Sequence, residues 1–281
     1  MKDRVWIRLV SFLIVALALI CSAGAAKAEG KSMILATTTS TYDTGLLDEL
    51  LPLFEKRYGI SVKVIAVGTG QALALGRSGN ADALLVHAPA AEEAFMAQGH
   101  GSERLAVMHN DFLIVGPAFD PAGIRGMKDA ARALAKIAKS KALFISRGDD
   151  SGTHKRERAL WKRAGMEPSG DWYIECGQGM AATLRIAYQK NGYTLTDRGT
   201  YLSQRKVVKL EPMVEGDPAL VNPYHIIVVS KKRHPKVKAE HARLFARFLV
   251  DPETQRFIGS FGIKEYGEPL FHPDALKERS E

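Results

Sequence analysis

The chain of 281 residues is 46% hydrophobic and 25% charged, and its formal net charge is +8. This length accommodates one or two domains with buried cores. No basic run is interleaved with aromatic residues, so the composition excludes the usual footprint of a nucleic-acid-binding protein, and we expect no nucleic-acid partner. A modest positive charge favours anionic ligands instead.

The first 28 residues have the pattern of a secretory signal peptide. Lys2 and Arg8 flank the start of an apolar run that is short for a membrane span, and small residues follow up to Ala28. We predict cleavage near Ala28 and a periplasmic mature protein, with an uncleaved anchor as the alternative. The mature chain then keeps a single cysteine, Cys176, so it has no internal disulfide.

Apolar runs and amphipathic segments alternate through the first part of the mature chain. The predicted strands are 33–36, 61–67 and 81–87, and the predicted helices are 45–58, 71–78 and 90–98. Strands that are apolar throughout and separated by helices are typical of a parallel sheet covered on both faces.

The alternation restarts beyond a further apolar strand at 111–117. The next predicted elements are helices 128–139, 153–164 and 180–189 and strands 142–146, 171–176 and 206–210. A long strand, 222–230, and two helices, 236–250 and 252–261, complete the chain. These last helices need a sheet to cover, and the economical solution returns them to the first unit.

The pattern therefore predicts an α/β protein of two lobes, each a mainly parallel sheet flanked by helices, joined by two crossing strands. Residues 1–28 form the signal peptide. Lobe one is discontinuous and comprises residues 29–113 with 226–281, and lobe two comprises residues 114–225.

Three strand-to-helix junctions carry hydroxyl residues and glycines: "TTTST" at 37–41, "GTG" at 68–70 and "SRGDDSGT" at 146–153. Open α/β sheets bind ligands at such junctions, where helix N-termini present free N–H groups. Neutral donors of this kind suit an oxyanion, and Arg147 adds a charge-assisted bond. Each loop alone is commonly only an N-cap or a turn, but three in one chain favour a site.

Several polar residues near these loops have two interpretations. Asp149 and Asp150 either accept the proton of a hydrogen phosphate or, as we favour, bond within their own turn or to Arg147. His87 follows a strand, and a structural role is the commoner one there. The loop at 177–180 either closes the cleft or is only a tight turn. Histidine and cysteine spacings indicate no metal site, and no cofactor is expected.

The segments "ATTTSTYDTGLLDELLPLFEKRYG", "VGTGQALALGRSGNADALLVHAPAAEEAFMAQG" and "ISRGDDSGTHKRERALWKRAG" closely resemble the tungstate-binding component of bacterial ABC importers. The resemblance continues through "DWYIECGQGMAATLRIA" and "NPYHIIVV", and so covers essentially the whole mature chain. It implies the two-lobed periplasmic-binding-protein fold, an oxyanion held between the lobes and an ABC permease as partner. We also expect a monomer without enzymatic activity. Carried over to this sequence, the anion contacts are Thr38, Thr39, Ser40, Thr69, Arg147, Ser151 and Thr153.

Two other functions remain open at this point. The ligand of such a binding protein is tungstate by resemblance, but molybdate, sulfate or phosphate are alternatives. A periplasmic phosphatase is the competing enzyme, with Asp149, Asp150 and Ser151 beside His154 as its candidate group. A sensing module that docks on a receptor instead of a permease would have the same sequence features.

Overall fold

The computed structural model describes residues 31–275. The predicted signal peptide and its cleavage site lie outside these residues. The first elements are β1 (Ser32–Thr38), α1 (Thr39–Tyr42), α2 (Leu46–Tyr58), β2 (Ser61–Val67), α3 (Thr69–Ser78), β3 (Ala83–Val86), α4 (Pro89–Ala97) and β4 (Gly101–Gly116).

The second group of elements begins beyond β4. It comprises α5 (Ala130–Ser140), β5 (Phe144–Ser146), α6 (Gly152–Arg163), β6 (Tyr173–Glu175), α7 (Met180–Gln189), β7 (Thr194–Asp197), α8 (Arg198–Gln204), β8 (Glu211–Val214) and a 3-10 turn (Pro218–Leu220). The chain ends with β9 (Val221–Val229), α9 (Ala239–Leu249), α10 (Pro252–Ser260), α11 (Ile263–Tyr266) and β10 (His272–Pro273). None of the described helices has the length and apolar character needed to cross a bilayer.

The sheet of lobe one has the strand order β10-β4-β9-β3-β1-β2. β1 pairs in parallel with both β2 and β3, and each of these three strands is followed by a helix. Their carboxyl ends therefore meet at one edge of the sheet, where loops gather. β9 pairs antiparallel with β3 and with β4, so the sheet is mixed beyond its parallel part.

β4 belongs to both lobes. Its stretch from Gly101 to Asp111 pairs with β9, and its last residues pair with β7 and β8. Leu113 and Val115 pack in the larger hydrophobic core, while Phe112 and Ile114 pack in a second core in lobe two. The alternation of side chains along one strand thus connects the two cores. Both predicted lobe boundaries fall within the long strands β4 and β9.

The helices at the C-terminal end pack on lobe one. Phe245 and Phe248 of α9 contact Phe54 of α2, with ring centroids 5.0 Å and 5.4 Å apart. All three rings are buried. Burial of such rings contributes roughly 1.5–3 kcal/mol each, which fixes the C-terminal helices to the sheet that the first strands build.

Lobe two is assembled around β5. This strand pairs in parallel with β6, and Ile145 N–H donates to the carbonyl of Tyr193 at 2.8 Å, just before β7. Lobe one also touches lobe two directly, because Arg198 of α8 contacts Glu268 at 3.3 Å while holding Asp111 through two bonds of 2.7 Å.

The predicted α/β fold class of two lobes is confirmed, but one predicted strand is wrong. Residues 206–210 form no strand, and the pairing strand is β8, which begins at Glu211. Val208 and Leu210 are buried in the larger hydrophobic core, and Tyr201 donates its hydroxyl to the carbonyl of Leu210 at 3.1 Å. The alternating apolar pattern of this segment therefore reflects burial without pairing.

Two elements of lobe two, β7 and α8, were not predicted from the sequence. β4 also begins ten residues earlier than predicted, at Gly101 instead of residue 111. The early part of β4 contains polar residues such as Glu103 and Arg104, which interrupt the apolar run. Pairing with β9 holds this part extended despite its composition.

Candidate functional site

The hydroxyl run spans the end of β1 and the short helix α1. Thr38 is the last strand residue, and its side chain accepts a bond from the N–H of Thr41 at 3.2 Å, which caps α1. Gly45 then adopts φ 78°, a left-handed conformation that turns the chain into α2. Because α1 makes a single turn, Thr38 and Thr41 are buried while Thr39 and Ser40 lie on the outer side.

A cavity of about 410 Å³ lies between the lobes, and the hydroxyl run forms one of its walls. Thr39 and Ser40 line it from lobe one, and Arg147 lines it from lobe two. Asp43 of lobe one also reaches this wall. Further lining residues come from the starts of two lobe-two helices: Gly179, Met180, Gly199 and Thr200.

The N-terminus of α7 makes part of this cavity electropositive. Its N-cap is Gly179, which has no side chain to cap the first N–H groups. A helix N-terminus with free N–H groups carries a partial positive charge and attracts anions. The loop before α7 therefore does close the cavity from lobe two, one of the two interpretations that its sequence allowed.

Arg147 is held in this wall with part of its guanidinium uncommitted. Its Nη2 donates to Asp149 Oδ2 at 2.5 Å, while its Nε is buried without a hydrogen-bond partner among the described residues. A buried donor without a partner costs free energy, so a ligand oxygen would complete this group. Gly148 has φ 59°, and a Cβ there would lie 2.7 Å from the Cβ of Glu175. Only glycine fits this turn between Arg147 and Asp149.

Asp149 has the local role that the sequence favoured, whereas Asp150 pairs with a lysine of α6. Asp149 pairs with Arg147 and accepts the N–H of Ser151 at 3.2 Å. Partial burial alone would raise the pKa of Asp149, but the bonds from Ser151 and the charge of Arg147 hold it below its ordinary value. Asp150 is largely exposed and pairs with Lys155 at 3.1 Å. Neither carboxylate lines the cavity as an acceptor for a protonated ligand.

The other predicted contacts do not line the cavity of Thr39, Ser40 and Arg147, although the Thr38 hydroxyl lies 3.2 Å from that of Ser40. Thr69, the first residue of α3, lines a neighbouring cavity of about 400 Å³. Ser151 caps α6 by accepting the N–H of His154 at 3.3 Å. Thr38, Ser151 and Thr153 do not line the cavity of Arg147. The structure therefore brings three of the seven predicted contacts to one cavity and leaves the other four beside it.

The loops of Thr69 and Ser151 nevertheless converge on a residue that the sequence favoured as structural, His87. A Cβ on Gly152 would lie 3.3 Å from Cε1 of His87 and 3.9 Å from Oγ1 of Thr69. Thr38 Oγ1 lies 3.1 Å from Nε2 of His87, which is buried. His87 thus links the hydroxyl run to the junctions of both lobes.

Sequence reasoning missed the contribution of α8 to the cavity. Gly199 and Thr200 lie in its first turn, and Asp197 caps it by accepting the N–H of Thr200 at 2.8 Å. The usable signal was Asp197 itself, since aspartate is favoured at N-caps.

The candidate phosphatase group lacks the geometry of an activated nucleophile. Nδ1 of His154 accepts the backbone N–H of Asp150 at 3.0 Å, and Oγ of Ser151 accepts the backbone N–H of His154. No bond joins the imidazole to the Ser151 hydroxyl among the hydrogen bonds of residues 31–275, although nucleophilic catalysis needs that contact. Within the same range, no cluster of three or more His, Cys, Asp or Glu side chains could hold a metal ion.

Comparison with known proteins gives a consistent result. A family model described as a PBP superfamily domain matches residues 23–253. The tungstate-binding protein TupA of Peptoclostridium acidaminophilum is 51% identical over 248 residues, which cover 88% of this chain and 87% of that protein.

Two solved structures are also similar along most of the chain. The tungstate-binding protein TupA from Desulfovibrio alaskensis G20 has 48% identity and a TM-score of 0.79, covering 87% of this chain and 99% of that one. The structure described as the tungstate ABC transporter from Geobacter sulfurreducens has 48% identity and a TM-score of 0.74, covering 82% and 98%.

Proposed function

The chain belongs to the PBP superfamily and, within it, to the family of the tungstate-binding protein TupA, and on this premise we propose that it captures tungstate between its lobes and delivers it to an ABC permease. The family resemblance predicted from the sequence is thereby confirmed. The chain is a solute-binding protein of the transport class and not an enzyme.

One observation supports an oxyanion as the ligand. Thr39 and Ser40 of lobe one and Arg147 of lobe two face the same cavity, beside the uncapped N-terminus of α7. Tungstate is a dianion near neutral pH that accepts hydrogen bonds and donates none. Neutral hydroxyls, free N–H groups and one guanidinium supply such bonds without a large formal countercharge.

The place of Arg147 in the cavity wall supports direct contact with the anion. The Nε of Arg147 has no partner among the described side chains and backbone groups, while Nη2 of the same guanidinium is fixed by Asp149. We propose that Arg147 uses its free edge for the anion, with Thr39 and Ser40 opposite. Thr38, Thr69, Ser151 and Thr153 stay in the proposed contact set because their junctions adjoin His87 next to this cavity.

Two arguments favour tungstate over other oxyanions. Hydrogen phosphate carries a proton and needs an acceptor. Asp149 is already occupied by Arg147 and Ser151, and Asp43 is the carboxylate in the cavity wall. Tungstate and molybdate have nearly the same size and charge, so the geometry of hydrogen-bond donors separates them little. The choice of tungstate rests on the names of the similar proteins.

The proposed location and partners follow from membership in the solute-binding proteins of ABC importers. We place the protein outside the cytoplasm, with the leader cleaved near Ala28 and the mature chain in the periplasm as a monomer. The lobes are proposed to be residues 29–113 with 226–281 and residues 114–225. A membrane-embedded ABC permease is the proposed recipient of the anion.

Calorimetric titration with four anions tests the proposal. Tungstate and molybdate should bind with one site per chain, and sulfate and phosphate should bind much more weakly. Phosphate binding tighter than that of either metal oxyanion would overturn the assignment and would give Asp149 or Asp150 the role of proton acceptor.

A further inference from the structure

His87 lies behind the hydroxyl run and is enclosed by neutral polar groups. It follows β3 at the carboxyl edge of the sheet, and its ring stacks on that of Tyr224 with centroids 4.6 Å apart. Its Nδ1 lies 3.0 Å from Oδ1 of Asn222, and its Nε2 lies 3.1 Å from Oγ1 of Thr38. Both ring nitrogens are therefore engaged, one on each side.

The partners of Asn222 determine which nitrogen of His87 carries the proton. The Nδ2 group of Asn222 donates to Oδ1 of Asn110 at 2.8 Å and to the Tyr224 hydroxyl at 3.1 Å. The amide oxygen of Asn222 is therefore the atom that faces His87, and it can only accept. Nδ1 of His87 donates to it, which leaves Nε2 as an acceptor in the neutral ring.

The acceptor Nε2 faces two hydroxyls of the proposed anion site. Thr38 Oγ1 lies 3.1 Å away and Ser40 Oγ lies 3.5 Å away. The Thr38 oxygen also accepts the N–H of Thr41 and lies 2.6 Å from the Thr41 hydroxyl. With Thr41 as the donor of that second bond, the proton of Thr38 is directed to His87. In this arrangement the Thr38 hydroxyl donates into the protein interior and not into the cavity.

An anion bound to Ser40 would change the electrostatics of this ring. Ser40 lines the cavity and also lies next to Nε2, so a bound dianion would lie within about two hydrogen-bond lengths of the imidazole. Negative charge at that distance favours the protonated form of a histidine. Protonation would turn Nε2 from an acceptor into a donor and would release the hydroxyl protons that face it.

The surroundings keep the imidazole neutral in the absence of such a charge. Burial lowers the pKa of His87 below its ordinary value, and the positive charge of Arg156 acts in the same direction. The hydrogen bond with Asn222 and the charges of Glu92 and Asp197 oppose this effect without overcoming it. Lys155 is the other charged group lining the neighbouring cavity with His87.

We propose that His87 is a positioning residue of the oxyanion site that takes up one proton from solvent when the anion binds. Nε2–H then donates to the oxygens of Thr38 and Ser40, and the hydroxyl proton of Ser40, which lines the cavity, turns towards the anion. This inference rests on the proposed function, because it needs an anion at Ser40. It makes tungstate binding a proton-linked reaction.

Calorimetry in two buffers of different ionisation enthalpy, PIPES and imidazole at pH 7, tests this linkage. Wild-type protein should take up between about a half and one proton per bound tungstate, and its affinity should fall by up to about tenfold per pH unit between pH 6 and pH 8. His87→Gln should abolish the proton uptake and flatten the pH profile. His154→Gln, a control at the other histidine near the loops, should retain the uptake.

Each possible result supports or overturns either the role of His87 or the proposed function. Tight tungstate binding without proton uptake, uptake that persists in His87→Gln, or uptake that disappears in His154→Gln would overturn the role of His87 and leave the proposed function intact. A wild-type protein that binds no tungstate would overturn the proposed function itself. If His87→Gln does not fold, imidazole 15N shifts of the wild-type protein answer the question, since His87 should become cationic at saturating tungstate and a neutral ring would refute the proposal.

Discussion

Lobe one brings the hydroxyl residues Thr39 and Ser40 and the carboxylate of Asp43 to the cavity, whereas lobe two brings the guanidinium of Arg147. The neutral loop is backed by buried groups that hydrogen-bond one another, with Thr38 bonded to His87. The charged loop balances its guanidinium with the adjacent carboxylate of Asp149. Neutral hydroxyls need no such counterion, so the two walls hold their hydrogen-bond donors in different ways.

The largest effect should follow from removing Arg147, the one cationic side chain that residues 31–275 contribute to the wall of this cavity. A charge-assisted bond contributes roughly 1.5–3 kcal/mol against about 0.5–1.5 for a neutral one, so Arg147→Ala should weaken tungstate binding on the order of ten- to a hundredfold. Arg147→Lys should recover part of the charge but not the fork geometry. Calorimetric titration of the three proteins measures both effects.

The opposing outcome would assign Arg147 a purely structural role. If it only holds Asp149, Arg147→Ala should lower the melting temperature and leave the affinity of the folded protein unchanged. Measuring affinity and melting temperature on the same sample separates the two cases, and unchanged affinity would remove Arg147 from the site.

A smaller effect is expected on the neutral side. Ser40→Ala removes one hydroxyl that lines the cavity, and it should weaken tungstate binding roughly two- to tenfold, in line with a neutral hydrogen bond. Ser203→Ala is a matched control, because its hydroxyl also lies at this cavity but donates to the carbonyl of Thr200 in its own helix. Equal losses in the two variants would contradict a specific role of the hydroxyl run.

The smallest effect concerns the direct contact between the lobes. Glu268→Gln removes the charge that Arg198 contacts at 3.3 Å, while Arg198 keeps its two bonds to Asp111. Partly exposed ion pairs contribute about 0.2–1 kcal/mol, so tungstate affinity should fall less than about fivefold. The difference from wild type should shrink as salt rises, because salt screens such pairs. A difference that is independent of salt in titrations between 20 mM and 500 mM NaCl would refute an electrostatic role.

The sequence predicts which loops form the site better than it predicts how their side chains are oriented. The hydroxyl run and Arg147 could be located because each follows an apolar strand and precedes a helix. The orientation of Thr38 and Ser40 could not be predicted, because it depends on the single turn of α1 and on His87, which is 49 residues from Thr38. Side-chain partners at that separation leave no local pattern.

The fold is likewise predictable where it depends on local composition, and less so where it depends on pairing with distant residues. Apolar strands such as β1 and β3 were recognised from composition, since they are buried on both faces. The first part of β4 was not, because its polar residues are held extended by β9, more than a hundred residues later. The strand predicted at residues 206–210 was wrong for the opposite reason. Val208 and Leu210 are buried, which gives the segment an apolar pattern, but they pair with no strand among residues 31–275.

The place of β9 between β3 and β4 also determines the order in which this protein can acquire its structure. The first three strands of lobe one leave the synthesis machinery early, yet the strand that joins β3 to β4 ends only at Val229. A growing chain therefore cannot complete this sheet until most of its length has been made. Long-range pairing of this kind slows folding. A chain that stays incompletely folded during synthesis is suited to threading through an export channel before it folds on the far side.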